Sequence, residues 1–594
     1  MGKTMERESS PSLGEATPKR SAESGKQPCL MGRETETELR TLGSTLFCNW
    51  LESITICYTT WMWVLRFHKE SYITSSVPTE QVLSSLPVWN QLPIEVPKTP
   101  MDLLGGFTLF LAICLICLLV LLTWRQVHQK SKMPPGPAPL PFIGNLFQVN
   151  RNDLPGSLIK LSEKYGPVYT IHLGPRRVVV LCGYDAVKEA LVDQGEDFSG
   201  RGEQPTFDWL FQGYGVAFSN GERAKQLRRF SLMTLRNFGM GRRSIEERIL
   251  EEAHFLLKDL KDTGGAPFDP TYTLSRSVSN VISSITFGHR FDYGDQEFLS
   301  LLNNMLNIFH FNSTSWGQLY DMFSGIMRYL PGPQHKAFKD LTGLEEFVTK
   351  KAKANQETLD PNAPRDFIDC FLVKMLQEKE KPNSEYFLRN LVATTLNVYF
   401  GGTETVSTTL RYGLLILLKH PEVEEKLHEE IDHVIGRNRT PNMADRAQMP
   451  YTEAVIHEIQ RFTDMLPIAL ARRVVRDTQF RGYTIPKGTE VFPMLGSVLR
   501  DPKYFARPEA FDPQHFLDEN GLFKNSSAFM PFSSGKRYCP GEHLARMELF
   551  LFFTSILQNF HLKPTIPHEE IDISPKLVGF ATIPHSYEIC VISR

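Results

Sequence analysis

Phe532-Ser533-Ser534-Gly535-Lys536-Arg537-Tyr538-Cys539-Pro540-Gly541 is the stretch on which the reading of this chain turns, because it presents one cysteine as a thiolate ligand. Pro531, the serines and Gly535 suit a tight loop through which backbone approaches a flat group closely. From about Pro540 the run Gly541-Glu542-His543-Leu544-Ala545-Arg546-Met547-Glu548-Leu549-Phe550 favours helix, so Cys539 stands just ahead of a helix N-terminus. The unpaired N–H groups and positive dipole end there favour thiolate over thiol. Arg537 adds a cation two residues earlier, suited to an anionic partner. A lone cysteine is ordinarily a buried apolar residue. Phe532, Gly535, Arg537, Cys539 and Gly541 at these spacings reverse that expectation.

Outward from this loop, the chain has 594 residues and is 41% hydrophobic, enough to bury a large core. Its net charge of −2 gives no global electrostatic footprint for nucleic acid. The nine cysteines form neither a disulfide framework nor a zinc pattern. Cys114 and Cys117 lie in an apolar run, where ordinary membrane-helix residues explain them. Residues 103–123 carry no charge and as a helix would span roughly 31 Å, about the thickness of a bilayer core. Trp124, Arg125, His128, Lys130 and Lys132 follow, against Asp102 before, which places the C-terminal side in the cytosol. Pro134-Pro135-Gly136-Pro137-Ala138-Pro139-Leu140-Pro141 is a stiff extended spacer.

The expected organisation is an atypical extension at 1–100, a transmembrane anchor at 101–124, a basic and proline-rich hinge at 125–141 and a catalytic domain at 142–594. The first forty residues are polar and read as disordered, and the whole extension reads as an upstream addition to a protein starting at Met101. Within the large domain, 169–173 and 177–181 predict a hairpin through Gly174-Pro175. Residues 246–261, 388–419 and 450–462 carry helical periodicity. The fold class is mainly α with small β-sheets.

Further motifs follow in order. Phe400-Gly401-Gly402-Thr403-Glu404-Thr405 puts paired glycines in mid-helix, a cost of about 1 kcal/mol each that close packing or a groove must offset. An acid beside an alcohol, Glu404-Thr405, suits proton relay. Glu458-Ile459-Gln460-Arg461 can pair its charges three residues apart on one helix face. Together with F-x-x-G-x-R-x-C-x-G, these motifs resemble those of the cytochrome P450 monooxygenases, from the apolar segment to the C-terminus. The likeness is greatest to animal family 2, its A subfamily first and its G subfamily next.

The resemblance implies the cytochrome P450 fold behind a single anchor, and heme b ligated by Cys539. It implies oxygen-atom insertion using O2 and NADPH-derived electrons. Phe532, Gly535 and Gly541 would shape the haem loop, and Arg228, Arg472 and Arg537 would meet its propionates. Most relatives carry a tryptophan where this chain has Ala224, a change the A subfamily shares. Thr405 and Glu404 would manage protons. His515, in Pro513-Gln514-His515-Phe516, replaces the usual arginine of a network with Glu458 and Arg461, with local stability that depends on pH. Phe207, Phe211, Phe218, Phe309, Phe400 and Phe580 match active-site positions. Asn397 is a polar exception, about 80° from Thr405 after two helical turns, and Leu466 and Leu470 beside Pro467 complete the wall.

The expected substrates are small lipophilic molecules: xenobiotics, steroids, fatty acids or odorants. No flavin or nucleotide motif occurs, so electrons come from a partner, NADPH–cytochrome P450 reductase, with cytochrome b5 a second candidate. Arg223, Lys225, Arg229 and Lys536 would form its docking face. The expected location is the endoplasmic reticulum membrane, single-pass, with the catalytic domain cytosolic. The competing readings are a haem-dependent isomerase or a haem-binding protein without oxygen activation, against which Glu404-Thr405 speaks, and a haem-free membrane scaffold.

Overall fold

Leu388–Lys419, a single helix of 32 residues, organises the fold. It is buried on nearly every side, as its apolar sequence requires of a core helix. Its closest neighbour is Thr271–Thr286, whose buried face is rich in small side chains such as Ser275, Ser279 and Ser283. These small residues let the two helices approach closely. Gly402 sits at the crossing, where an added Cβ would lie 2.9 Å from Ile282 Cγ1. Tyr399 and Ser279 close the same contact through a 2.6 Å hydroxyl hydrogen bond.

The computed structural model describes residues 108–118, 133–239 and 243–594. Leu388–Lys419 matches its expected limits, and Arg243–Asp262 and Pro450–Thr463 extend theirs by a few residues. The helix after Cys539 runs Glu542–Asn559, with Gly541 at its N-cap. A five-stranded sheet lies beside the helices. Val168–Leu173 pairs antiparallel with Arg176–Leu181 through the expected tight turn, with Gly174 at φ 61°. Glu490–Pro493 runs parallel to the second strand. Arg472–Arg473 follows, then Gly200–Arg201 at the edge, in a register that sets Arg201 directly opposite Arg472. The architecture is mainly helical with small sheets, as expected.

The proline-rich segment is no free spacer. Pro134 and Pro137 are buried, and Thr170 donates from its N–H to the Pro135 carbonyl (2.7 Å) and from its hydroxyl to the Pro134 carbonyl (2.9 Å). Residues without N–H donors dock here by accepting from the sheet, which corrects the picture of a purely mechanical offset. Residues 108–118 are helical with apolar side chains exposed. Among the described residues no helix is long and apolar enough to cross a membrane. The rest of the expected anchor, the extension at 1–100 and the basic stretch at 125–132 lie outside the described residues.

Candidate active site

The Cys539 loop is shaped first by the chain's own backbone. Cys539 N–H donates to the Phe532 carbonyl (3.0 Å), and Ser533 and Gly535 both take positive φ. An added Cβ at Gly535 would lie 1.6 Å from the Leu191 carbonyl oxygen. That glycine is therefore demanded by the turn Glu189–Asp193, and this corrects the expectation that it makes room for a cofactor. Phe532 is half-buried, with the Arg546 guanidinium 5.2 Å from its ring. Cys539 itself is half-buried. Burial pushes its thiol up, while backbone N–H groups of Gly541 and Glu542 and the charge of Arg228 pull down. Burial, with the nearby Glu542 carboxylate, prevails, and the thiol stands above its ordinary value.

Around this loop stand four arginines. Arg228 donates to the Tyr538 carbonyl (2.6 Å) and lies over the Tyr538 ring. Arg537 donates to the carbonyls of Ala217 and Ser219, both at 3.0 Å. Arg201 donates to Ala217 (2.9 Å) and Leu470 (3.4 Å). Arg472 donates to Ser533 Oγ (3.2 Å) and the Ser534 carbonyl (3.4 Å), and its buried Nε has no partner. Among the described residues none of the four forms an ion pair. Burial and then mutual repulsion pull Arg472 down to about 9 and Arg537 to about 10. Arg201 is drawn down in the same way.

Buried cations without a counter-charge are costly, so this cluster fits an anionic group; the two propionates of a haem would offset half of its charge. Arg201 escaped sequence reasoning because a two-residue strand has no periodicity. Only its pairing with Arg472 reveals it. Ala224 is buried, and its methyl group offers no donor.

Against the central helix lies a cavity of about 130 Å³, which shares Ala217 and Leu470 with the arginine cluster. All nine expected pocket residues line it: Phe207, Phe211, Phe218, Phe309, Asn397, Phe400, Leu466, Leu470 and Phe580. Phe207 stacks on Phe218 at 5.2 Å and meets Phe400 edge-on at 5.7 Å, while Phe309 and Phe580 stand perpendicular at 6.1 Å. Leu210, Leu341, Leu344 and Leu396 also line it and were missed, because a leucine in a helix carries no signal separating cavity from core.

Asn397 Oδ1 accepts from the Ala217 N–H (3.0 Å), which leaves its NH2 as the free polar group. The two mid-helix glycines divide the explanations between them. Gly402 packs against Ile282, whereas Gly401 has open space beside it and lines the cavity.

Thr405 lines the cavity and donates to the Gly401 carbonyl (2.8 Å). Glu404 does not line it. Its carboxyl is fully buried, both oxygens lack partners, and burial pushes it up to about 8 against a weaker pull from Arg411. It therefore stands protonated at neutral pH and makes no hydrogen bond to Thr405. The two chemistries are adjacent in sequence and separate in space.

Behind the loop, Arg461 and Glu458 are wholly buried and doubly bonded at 2.7 Å. Arg461 also donates to the carbonyls of Leu499, Pro508 and Ala510. His515 completes the network, with Nδ1 3.1 Å from Glu458 and Nε2 on the Ala506 carbonyl. Burial lowers its pKa, but the Glu458 carboxylate and that carbonyl outweigh burial and raise it. The expected docking cations fare less well. Arg223 is half-buried against Glu385 (2.7 Å), so it leaves the docking face. Lys225 and Lys536 are exposed but paired with Glu222 and Glu196, and Arg229 is exposed.

A family model described as Cytochrome P450 matches residues 134–591. The chain is 67% identical to Cytochrome P450 2A13 of Homo sapiens over 490 residues, 82% of this chain and 99% of that one. It is 65% identical to Cytochrome P450 2A5 of Mus musculus over 493 residues, 83% of this chain and 100% of the other. Human Cytochrome P450 2A6 is 66% identical over 490 residues, 82% and 99% of the two chains.

Proposed function

The chain belongs to the cytochrome P450 family, with haem as its cofactor and monooxygenation as its chemistry, and from that premise we propose the roles of its residues, its substrates and its setting. Haem, when bound, supplies the activation of dioxygen and the insertion of one oxygen atom into substrate. Cys539 Sγ is the iron ligand, and Arg228, Arg472, Arg537 and Arg201 hold the propionates. The phenylalanine wall excludes water and selects compact, flat, lipophilic molecules. The Asn397 NH2 orients a carbonyl or heteroatom. Thr405 holds a proton at the cavity floor, and protonated Glu404 is its reserve in the helix interface.

Electrons reach the site from NADPH through a separate membrane reductase, with cytochrome b5 a further donor. Arg229, Lys225 and Lys536 contribute to its docking face. Residues 101–124 anchor the chain in the endoplasmic reticulum membrane, with the domain from 142 onward on the cytosolic face. The observation that carries the reading is the convergence of Cys539, four arginines free of ion pairs and an aromatic cavity ending at Thr405. Reconstitution with the reductase tests it: native protein consumes NADPH and oxygenates a small aromatic substrate. Cys539→Ser should abolish turnover and the red-shifted Soret band seen on reduction with carbon monoxide. Retention of that band by the variant refutes the assignment.

A further inference from the structure

Far from the Cys539 loop, the helix Pro421–Val434 and the strand Phe560–Pro564 bring together Glu424, His428 and His561. Glu424 and His428 stand four apart on one helix face. Their ligand atoms, with that of His561, all lie within 4.8 Å of one another. Glu424 Oε1 is 3.6 Å from His428 Nε2 and 3.8 Å from His561 Nδ1. Tetrahedral ligands 2.0–2.1 Å from zinc stand about 3.3–3.4 Å apart, so small side-chain shifts would suffice.

The individual groups are prepared for a cation in ways that a chance cluster is not. His428 is 6% exposed, and its Nε2 is buried with no hydrogen-bond partner. Its ring is hydrogen-bonded to the Phe560 backbone, the arrangement by which a ligating imidazole is oriented through its other nitrogen. Glu424 Oε1 is likewise fixed, accepting from Leu562 N–H at 2.9 Å. The two imidazoles stand edge to face at 4.6 Å and 85°. His561 is more than half exposed, which gives an entry path and leaves a fourth position to water.

We propose that Glu424, His428 and His561 form a binding site for a borderline divalent cation of the zinc type, clamping the helix Pro421–Val434 to the strand Phe560–Pro564. Two imidazoles and one carboxylate are the donor set that zinc, copper and nickel accept and that calcium and magnesium disfavour.

Charges nearby set the terms of binding. Arg594 lies close to Glu424 and His428 and opposes a cation, but it is itself held by Asp432 at 2.8 Å. Arg437 likewise opposes a cation at His561, whereas the Asp432 carboxylate favours one at both histidines.

The test uses full-length, tag-free holoprotein in detergent, equilibrated with zinc alone. Metal analysis after gel filtration reports zinc per haem, and competition with a chelating dye reports affinity. The native chain should retain one zinc. His561→Ala, at an exposed position, should weaken binding at least about ten-fold with an unchanged Soret spectrum. His428→Ala should do the same. If the native chain retains no zinc, or if His561→Ala and His428→Ala bind it as tightly as native, the proposal is overturned.

Discussion

Two sets of buried arginines in this molecule have opposite local solutions. Arg461 spends its donors on Glu458 and three carbonyls, and Glu458 in turn accepts from the Asp512 N–H and faces His515. Arg201, Arg472 and Arg537 are nearly as buried, yet they meet only carbonyls and a hydroxyl, repel one another and leave one Nε bare. A buried cation with its own counter-ion is part of the scaffold. A group of buried cations without one is a receptor for an anion brought from outside. The difference separates what the chain needs to fold from what it needs to hold its cofactor.

Breaking the first set should cost most. Arg461→Ala leaves Glu458 in the core without its permanent counter-charge, held only by His515 and the Asp512 N–H, a loss of about 3–5 kcal/mol. The expected outcome is little soluble protein, and what is recovered should unfold at markedly lower denaturant. Arg472→Gln should behave differently. The apoprotein should be no less stable than native, because one like charge leaves a repulsive cluster, whereas haem should be lost about ten- to a hundred-fold more readily. Haem transfer to a scavenger protein, followed at the Soret band, measures it. Arg201→Gln should match it. If either substitution destabilises the apoprotein as Arg461→Ala does, the two sets are not different in kind.

His515 sharpens the comparison from inside the scaffold set, since it is that network's titratable donor. Its pKa is raised in the folded protein, so protonation favours folding. That contribution is fully present below the ordinary histidine value near 6.5 and fades as the pH rises through the folded value. Thermal unfolding of native protein and His515→Gln should therefore differ most at mildly acidic pH and converge toward pH 8. A gap that is constant with pH would mean that His515 acts by packing alone.

These contrasts mark how far the sequence could be read. Long elements were legible: Leu388–Lys419 shows its whole length through apolar periodicity, and Cys539 shows itself through fixed neighbours. The nine cavity residues were placed by likeness to a family, and periodicity did not distinguish their phenylalanines from ordinary core. The readings that failed did so through a distant contact the sequence does not show. Gly535 answers to Leu191, and Arg223 is captured by Glu385. Arg201 sits on a strand too short to have a pattern, and Glu404 turns away from the cavity that Thr405 lines. Side-chain partners across hundreds of residues are fixed by topology, which local spacing does not encode.

The smallest expected effect lies in the cavity itself. Asn397 has one half committed, its oxygen holding the Ala217 N–H, and Ala217 also carries the carbonyl that Arg201 and Arg537 share. Asn397→Ala therefore removes a support and a donor together, and every ligand should bind less well. The loss of support is common to all ligands, so the donor is isolated by difference. A carbonyl-bearing aromatic should lose about 1 kcal/mol more than a hydrocarbon of the same size, roughly a five-fold larger rise in Kd by spectral titration. Equal losses for both would assign Asn397 to the support of the propionate-side arginines and remove it from substrate recognition.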